Sequence, residues 1–264
     1  MSLTFTILGC GSSGGNPRPG LGWGQCDPTN PKNRRRRCSL LVERAGPDGV
    51  TRILVDSGPD VREQLIDAKA DWLDAILYTH EHADHTHGID DLRALFIHQR
   101  KRLDAYADVM TARLLMDRFG YCFVKPPGSD YPPILTMHGL TAGQPLTIDG
   151  KGGPIDVLPF RQNHGEIDSL GFRFGGTAYS SDLHDMPDAS AAALAGLDLW
   201  IVDALRYHPH PSHFSVADAL QWIERLKPKR AVLTNMHSDV DYEVLRLSLP
   251  PGIEPAYDAM RVEA

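Results

Sequence analysis

The chain has 264 residues, 42% hydrophobic and 23% charged, a globular composition that excludes a disordered or fibrous protein. Its 27 basic and 34 acidic residues leave a formal charge of −7, so no strongly basic field favours long nucleic acid or an anionic membrane. No 18-residue apolar run or basic leader stands out, and Cys10, Cys26, Cys38 and Cys122 form no C-x-x-C pair, so the expectation is a cytoplasmic protein with reduced thiols.

In chain order, Leu3–Leu8 alternates as a strand and ends in Gly9-Cys-Gly-Ser-Ser-Gly-Gly15. A polar loop rich in Gly, Pro and Arg runs from Asn16 to Arg37, a length that usually signals function or mobility. Strands are expected at Ser39–Val42, Arg52–Val55 and Ala75–Tyr78, and a helix at Val61–Ala70. Gly88–Arg102 has helical spacing, with Ile89, Leu92, Leu95 and Phe96 on one face. The second half alternates likewise, with strands near Ile134–Met137, Ile155–Phe160, Phe172–Phe174, Ala178–Ser180 and Leu199–Val202. Ser215 reads as the N-cap of a helix to Leu226, stopped by Pro228. Ala231–Leu233 is a strand, Tyr242–Leu247 a helix, and two short strands close the chain. Strands and helices intermix throughout, which argues for a layered α/β or α+β architecture.

Four of the 12 histidines fall within eight residues, in Thr79-His80-Glu81-His82-Ala83-Asp84-His85-Thr86-His87. This segment follows directly on an expected strand. In extended backbone His80 and His82 share a face, and Asp84 and His85 fall in the turn beyond. Imidazole and carboxylate suit Zn²⁺, Mn²⁺ or Fe²⁺. Four such ligands within six residues exceed one open tetrahedral site and are the number needed to begin two.

The pattern His80-x-His82-x-Asp84-His85 resembles the signature of the metallo-β-lactamase superfamily. The resemblance implies an α+β layered αββα sandwich with a dinuclear metal site at one edge of its two sheets. It assigns His164, after a strand, to the first metal with His80 and His82. Asp84, His85 and His237 would hold the second, and Asp182 would bridge. Close relatives often place the last histidine directly after the threonine, where this chain has Asn235, so either a backbone bulge brings in His237 or the second metal is held more weakly. The start Met1–Gly9, Arg34-Arg-Arg-Arg-Cys38-Ser39, Ser181-Asp182, Val202-Asp203 and Tyr257-Asp258-Ala-Met260 are similar, more narrowly, to the PhnP-type phosphodiesterases. That match covers essentially the whole chain and implies one domain over residues 1–264.

The resemblance implies a phosphodiesterase with two divalent ions, zinc or manganese, that opens a small cyclic phosphate of the phosphoribosyl 1,2-cyclic or 2′,3′-cyclic nucleotide type. Its partner is thus a small phosphorylated sugar or nucleotide, with no membrane and no long nucleic acid, and the family suggests a homodimer. Asp84, Asp182 and His213 are the catalytic set it implies. His213, just before the Ser215 helix, would be the general acid that an alkoxide leaving group needs, with Asp203 bonded to it or to a ligand imidazole. Ser12, Ser13, Asn16, Arg34, Arg37 and His213 are the substrate-binding candidates, although Arg34–Arg37 reads equally well as a solvated charged face. No structural zinc is expected, because Cys26 alone remains of the family's cysteine cluster. The order of that loop must then come from elsewhere, such as a partner subunit. Two alternatives stay open: a metal-dependent lactone or thioester hydrolase, and a non-catalytic nucleotide-binding relative.

Overall fold

The computed structural model describes residues 2–263. Six strands come from the first half of the chain: β1 (Leu3–Gly9), β2 (Ser39–Gly46), β3 (Gly49–Val55), β4 (Ala75–Leu77), β5 (Leu103–Ala107) and β6 (Leu135–Gly139). The second half contributes β7 (Leu146–Ile148), β8 (Ile155–His164), β9 (Ile167–Phe174), β10 (Thr177–Ser180), β11 (Leu199–Asp203), β12 (Arg230–Thr234), β13 (Ile253–Pro255) and β14 (Met260–Glu263). Among the described residues they form two seven-stranded sheets, ordered β14-β1-β2-β3-β4-β5-β6 and β13-β12-β11-β10-β9-β8-β7.

Period-two alternation sorts side chains into two cores. Leu40, Val42, Ile53 and Val55 point between the sheets, where Phe5 and Phe174 meet with ring centroids 5.9 Å apart and Phe172 lies on the same face as Phe174. Their neighbours Leu41 and Leu54 point outward beneath helices α1 (Val61–Asp67), α3 (Arg93–Gln99) and α4 (Val109–Phe123). On the second sheet, α5 (Asp188–Ala193), α6 (Val216–Leu226) and α7 (Tyr242–Ser248) contribute Ala191, Ala219, Ile223 and Leu245 to the core. The order of layers is αββα, as expected.

Local chemistry accounts for several boundaries. Ser215 and Asp218 make a reciprocal capping box at the start of α6, and Lys227 closes it in the left-handed region before Pro228. The helix expected over Gly88–Arg102 is interrupted: a 3₁₀ turn at Ile89–Leu92 precedes α3, and Arg100 turns left-handed so that Leu103 can enter β5 beside β4. Strand β5 and helix α4 were not expected. No described helix is long and apolar enough to cross a membrane.

Strands β3 to β6 run parallel, as do β10 to β13, so their C-terminal ends collect at one edge. The sheets are stitched there by backbone bonds from Leu170 N to Thr79 O (2.9 Å) and from Met236 N to Cys10 O (2.8 Å). Loop Asn16–Arg37 is held by the chain itself. Buried Asn33 donates to Asp241 Oδ2 and Asp27 O, Asn16 donates to Asn33 O, and the Cys26 thiol donates to Ser238 O and Val240 O.

Candidate metal centre

Each candidate sits on or just beyond the end of a strand. β4 runs into Thr79-His80, His82 caps the one-turn helix α2 (Ala83–Thr86), and Asp84 and His85 lie within that turn. His164 ends β8, Asp182 follows β10 by two residues, and Asp203 ends β11. Asp182 is the hub. Its Oδ1 lies 3.2 Å from His85 Nε2, and its Oδ2 lies 3.9, 3.6 and 3.8 Å from Nε2 of His80, His164 and His213. Asp84 Oδ2 is 3.4 Å from His85 Nε2, and His82 Nδ1 is 3.2 Å from His164 Nε2. Three overlapping donor groups result: His80-His82-His164, His80-His85-Asp182 and His164-Asp182-His213.

Hydrogen bonds on the far sides of the rings fix which nitrogen faces inward. His85 Nδ1 donates to Asp56 Oδ2 at 2.7 Å. Thr79 Oγ1 donates to the same carboxylate at 2.8 Å, so it accepts from His80 Nδ1 at 2.9 Å. His164 Nδ1 donates to Ser212 O at 2.7 Å. All three Nε2 lone pairs therefore point into the cluster, and the buried Nε2 atoms of His80 and His85 have no hydrogen-bond partner. Buried acceptors without donors suit a cation.

The electrostatics agree. Burial and the neighbouring imidazoles hold His80 well below the ordinary histidine range, and burial lowers His164, so both are neutral, ligand-competent rings. Burial would raise the Asp182 carboxyl, but His85 and His213 outweigh it and hold the group well below the carboxylate range. At His85, burial is overcome by Asp182, Asp84 and Asp56, which together favour positive charge at that point. His213 sits at the rim, its Nδ1 2.8 Å from the buried Asp203 Oδ2. Burial lowers its pKa, yet Asp203 and Asp182 raise it to about 9, while burial pushes Asp203 to about 7. The two carboxylates thus favour the charged form of the imidazole.

His80, His82, Asp84, His85, His164, Asp182, His213 and Asp203 thus converge. His237 is in none of the three donor groups. The backbone leaves β12 with Asn235 at φ 60°, and its amide donates to Asp182 Oδ1 at 3.1 Å and Ser181 O at 2.8 Å. Backbone bonds from Met236 to Cys10 O and from His237 to Leu205 O then carry His237 past the cluster. Its ring instead contacts Arg18 Nη1 (2.6 Å) and Asp239 Oδ1 (2.6 Å).

The substrate candidates separate. Ser12 is buried near the site, while Ser13 is exposed, and the Asn16 amide is engaged by Asn33 O. Arg34 is exposed on an outer groove with Asp60, Asp67 and Asp258, and Arg37 pairs with Asp60 at 2.8 Å. Sequence reasoning missed Asp56 and Thr79, which hold the ligand rings from behind. Asp56 alone carried a legible signal, as a carboxylate directly after a strand.

The model of the beta-lactamase superfamily domain matches residues 51–236. A crystal structure described as a new diphosphatase from the PhnP family is 36% identical, with TM-score 0.89, covering 100% of this chain and 98% of that one. An octanoyltransferase from Porphyromonas gingivalis is 34% identical over 96% of this chain, and a ribonuclease Z from Bradyrhizobium diazoefficiens is 34% identical over 61%. This chain spans about half the length of these curated relatives, 50% in each case.

Proposed function

Because this chain belongs to the beta-lactamase superfamily, and within it to the PhnP family, we propose that it is a metal-dependent phosphodiesterase acting on a small cyclic phosphate. The observation that carries this reading is the pairing of inward, unpartnered imidazole nitrogens with His213 at the rim, its Nδ1 held 2.8 Å from Asp203 Oδ2. His80, His82 and His164 would hold one divalent cation, Asp84 and His85 a second, with Asp182 between them. When bound, such a pair neutralises phosphoryl charge and lowers the pKa of a coordinated water.

The remaining chemistry belongs to side chains. Asp203 orients His213 Nδ1 and favours the charged ring, which would make the Nε2 proton available to a departing alkoxide. An alkoxide leaves poorly near neutral pH, and a placed donor is worth about 10²–10⁴ in rate. Asn235 fixes Asp182 Oδ1 from behind. Asp56, Thr79 and the Ser212 carbonyl lock the ligand rings.

The test is turnover of bis-p-nitrophenyl phosphate after loading with Mn²⁺ or Zn²⁺. We expect His213→Ala to lower kcat about 10²–10⁴-fold with its metal content retained. Metal-loaded wild-type protein that cleaves thioesters or lactones but no phosphodiester would overturn the reading. The closeness of His213 to His164 and Asp182 favours a second role, as ligand rather than acid. In that case His213→Ala would lose metal as well as turnover.

A further inference from the structure

Asp182 has two unlike sides. Its Oδ2 lies 3.9, 3.6 and 3.8 Å from Nε2 of His80, His164 and His213, and His82 stands 3.2 Å from His164 on that side. Its Oδ1 lies 3.2 Å from a single ring nitrogen, His85 Nε2, and 3.1 Å from the side-chain amide of Asn235. An inward imidazole nitrogen brings a lone pair, whereas an amide NH₂ brings only protons. On the Oδ1 side a hydrogen-bond donor thus stands where a further ligand could reach.

The amide is locked in that sense. Asn235 is buried, and its Nδ2 donates to Ser181 O at 2.8 Å as well as to Asp182 Oδ1. Both partners are acceptors, so a reversed amide would set its own oxygen against two others. One lone pair of Asp182 Oδ1 is therefore used within the protein. Among the described residues, no other group makes up the deficit. Asp84 Oδ2 is 3.4 Å from His85 Nε2 but joins none of the three donor groups, and His80, which completes the group of His85 and Asp182, also belongs with His82 and His164. The Cys38 thiol lies against Thr234 Oγ1 at 3.7 Å. His237 is turned to Arg18 and Asp239. Two adjacent cations also repel each other, and that cost falls on the side with fewer donors.

Resting on the two-cation reading above, we infer that the cations are held unequally and that Asn235 is the residue that makes them so. The side of His80, His82, His164 and Asp182 Oδ2 keeps a resident ion. The side of His85, Asp84 and Asp182 Oδ1 takes a second that exchanges with solvent. The doubly loaded protein then forms in proportion to free metal, and a reaction that needs both ions is switched by divalent-cation supply.

Titration of metal-free protein with Mn²⁺, with unbound ion counted by electron paramagnetic resonance, reads both sites without any substrate. The expected isotherm has two phases, the second weaker by at least about 10–100-fold, the loss that even an outer partner of a ligand brings. Mass spectrometry after dialysis should find one ion retained. Asn235→His places an imidazole at the position of the amide, and histidine tolerates the left-handed backbone there, φ 60°. It should tighten the second phase about tenfold or more and carry retained metal toward two ions. Asn235→Ala, which adds no ligand, should keep the phases unequal. Two ions bound by the wild type within about tenfold of each other, an isotherm that ends at one ion, or a folded Asn235→His protein with an unchanged second phase would overturn the assignment. The wild-type isotherm decides the matter if the histidine variant does not fold. A two-phase isotherm in protein that cleaves no phosphodiester removes the proposed activity and leaves this assignment standing, whereas protein that binds no Mn²⁺ overturns both.

Discussion

Asp56 offers a direct test of how the ligand rings are held. The residue is fully buried, with φ 64°. Its Oδ1 accepts from Thr79 N at 2.8 Å, and its Oδ2 accepts from Thr79 Oγ1 at 2.8 Å and His85 Nδ1 at 2.7 Å. Asp56→Asn keeps the size and tolerates the left-handed backbone, but replaces one acceptor oxygen by a donor. If the amide oxygen stays on Thr79 N, the NH₂ group faces His85 Nδ1. That nitrogen must then accept, which moves the ring proton to Nε2 and removes the lone pair aimed at the metal. If the amide flips, its NH₂ opposes the Thr79 N–H instead. Either way a ligand or a buried bond is lost, and loss of such an outer partner typically costs 10–100-fold in metal affinity, about 1.4–2.7 kcal/mol. Competition against a chromogenic chelator, with metal content by mass spectrometry and Tm as a folding check, reads this out. A folded Asp56→Asn protein with wild-type affinity and stoichiometry would refute the placing of His85 as a ligand.

Three further outcomes concern the frame. Trp200 is fully buried on the outer face of the second sheet, in register with Ala178 and Arg173, and donates Nε1 to Ser180 Oγ at 3.0 Å. Trp200→Ala should cost about 3–5 kcal/mol in urea unfolding, and a loss below about 1 kcal/mol would contradict the packing described. Ser215→Ala removes one half of the α6 capping box and should cost about 1 kcal/mol, whereas Ser215→Asp should recover most of it. Gly58→Ala would bring a Cβ within 2.0 Å of the Asp84 carbonyl oxygen. The expected result is about 1–3 kcal/mol of destabilisation and weaker metal binding, and an unperturbed variant would mean that this contact is not rigid.

Much of the architecture was legible because it depends on local chemistry. β1 ends at the glycine run, α6 starts at Ser215 and stops before Pro228, and β10 and β11 fall where expected. Other elements were not read. β5 is five residues long and α4 follows it after one residue, so their apolar positions merge into no clean single period. The Gly88–Arg102 stretch carries a helical pattern throughout, but the chain must break it to lay Leu103 alongside β4. A parallel partner cannot be read from the segment that joins it.

The candidate site divides in the same way. Ligand types and their order along the chain, His80 through His85, then His164 and Asp182, are properties of the sequence, because short spacing and strand ends limit where those groups can point. Which atoms meet is decided by tertiary structure. Asp182 reaches four imidazoles because two sheets bring strand ends from distant parts of the chain to one edge. Whether Asn235 or His237 reaches that edge depended on a single left-handed residue after β12. The Asp56 carboxylate behind His85 and the partnering of Arg18 rest on contacts 29 and 219 residues apart, and close packing of distant segments, which no local pattern encodes, sets them.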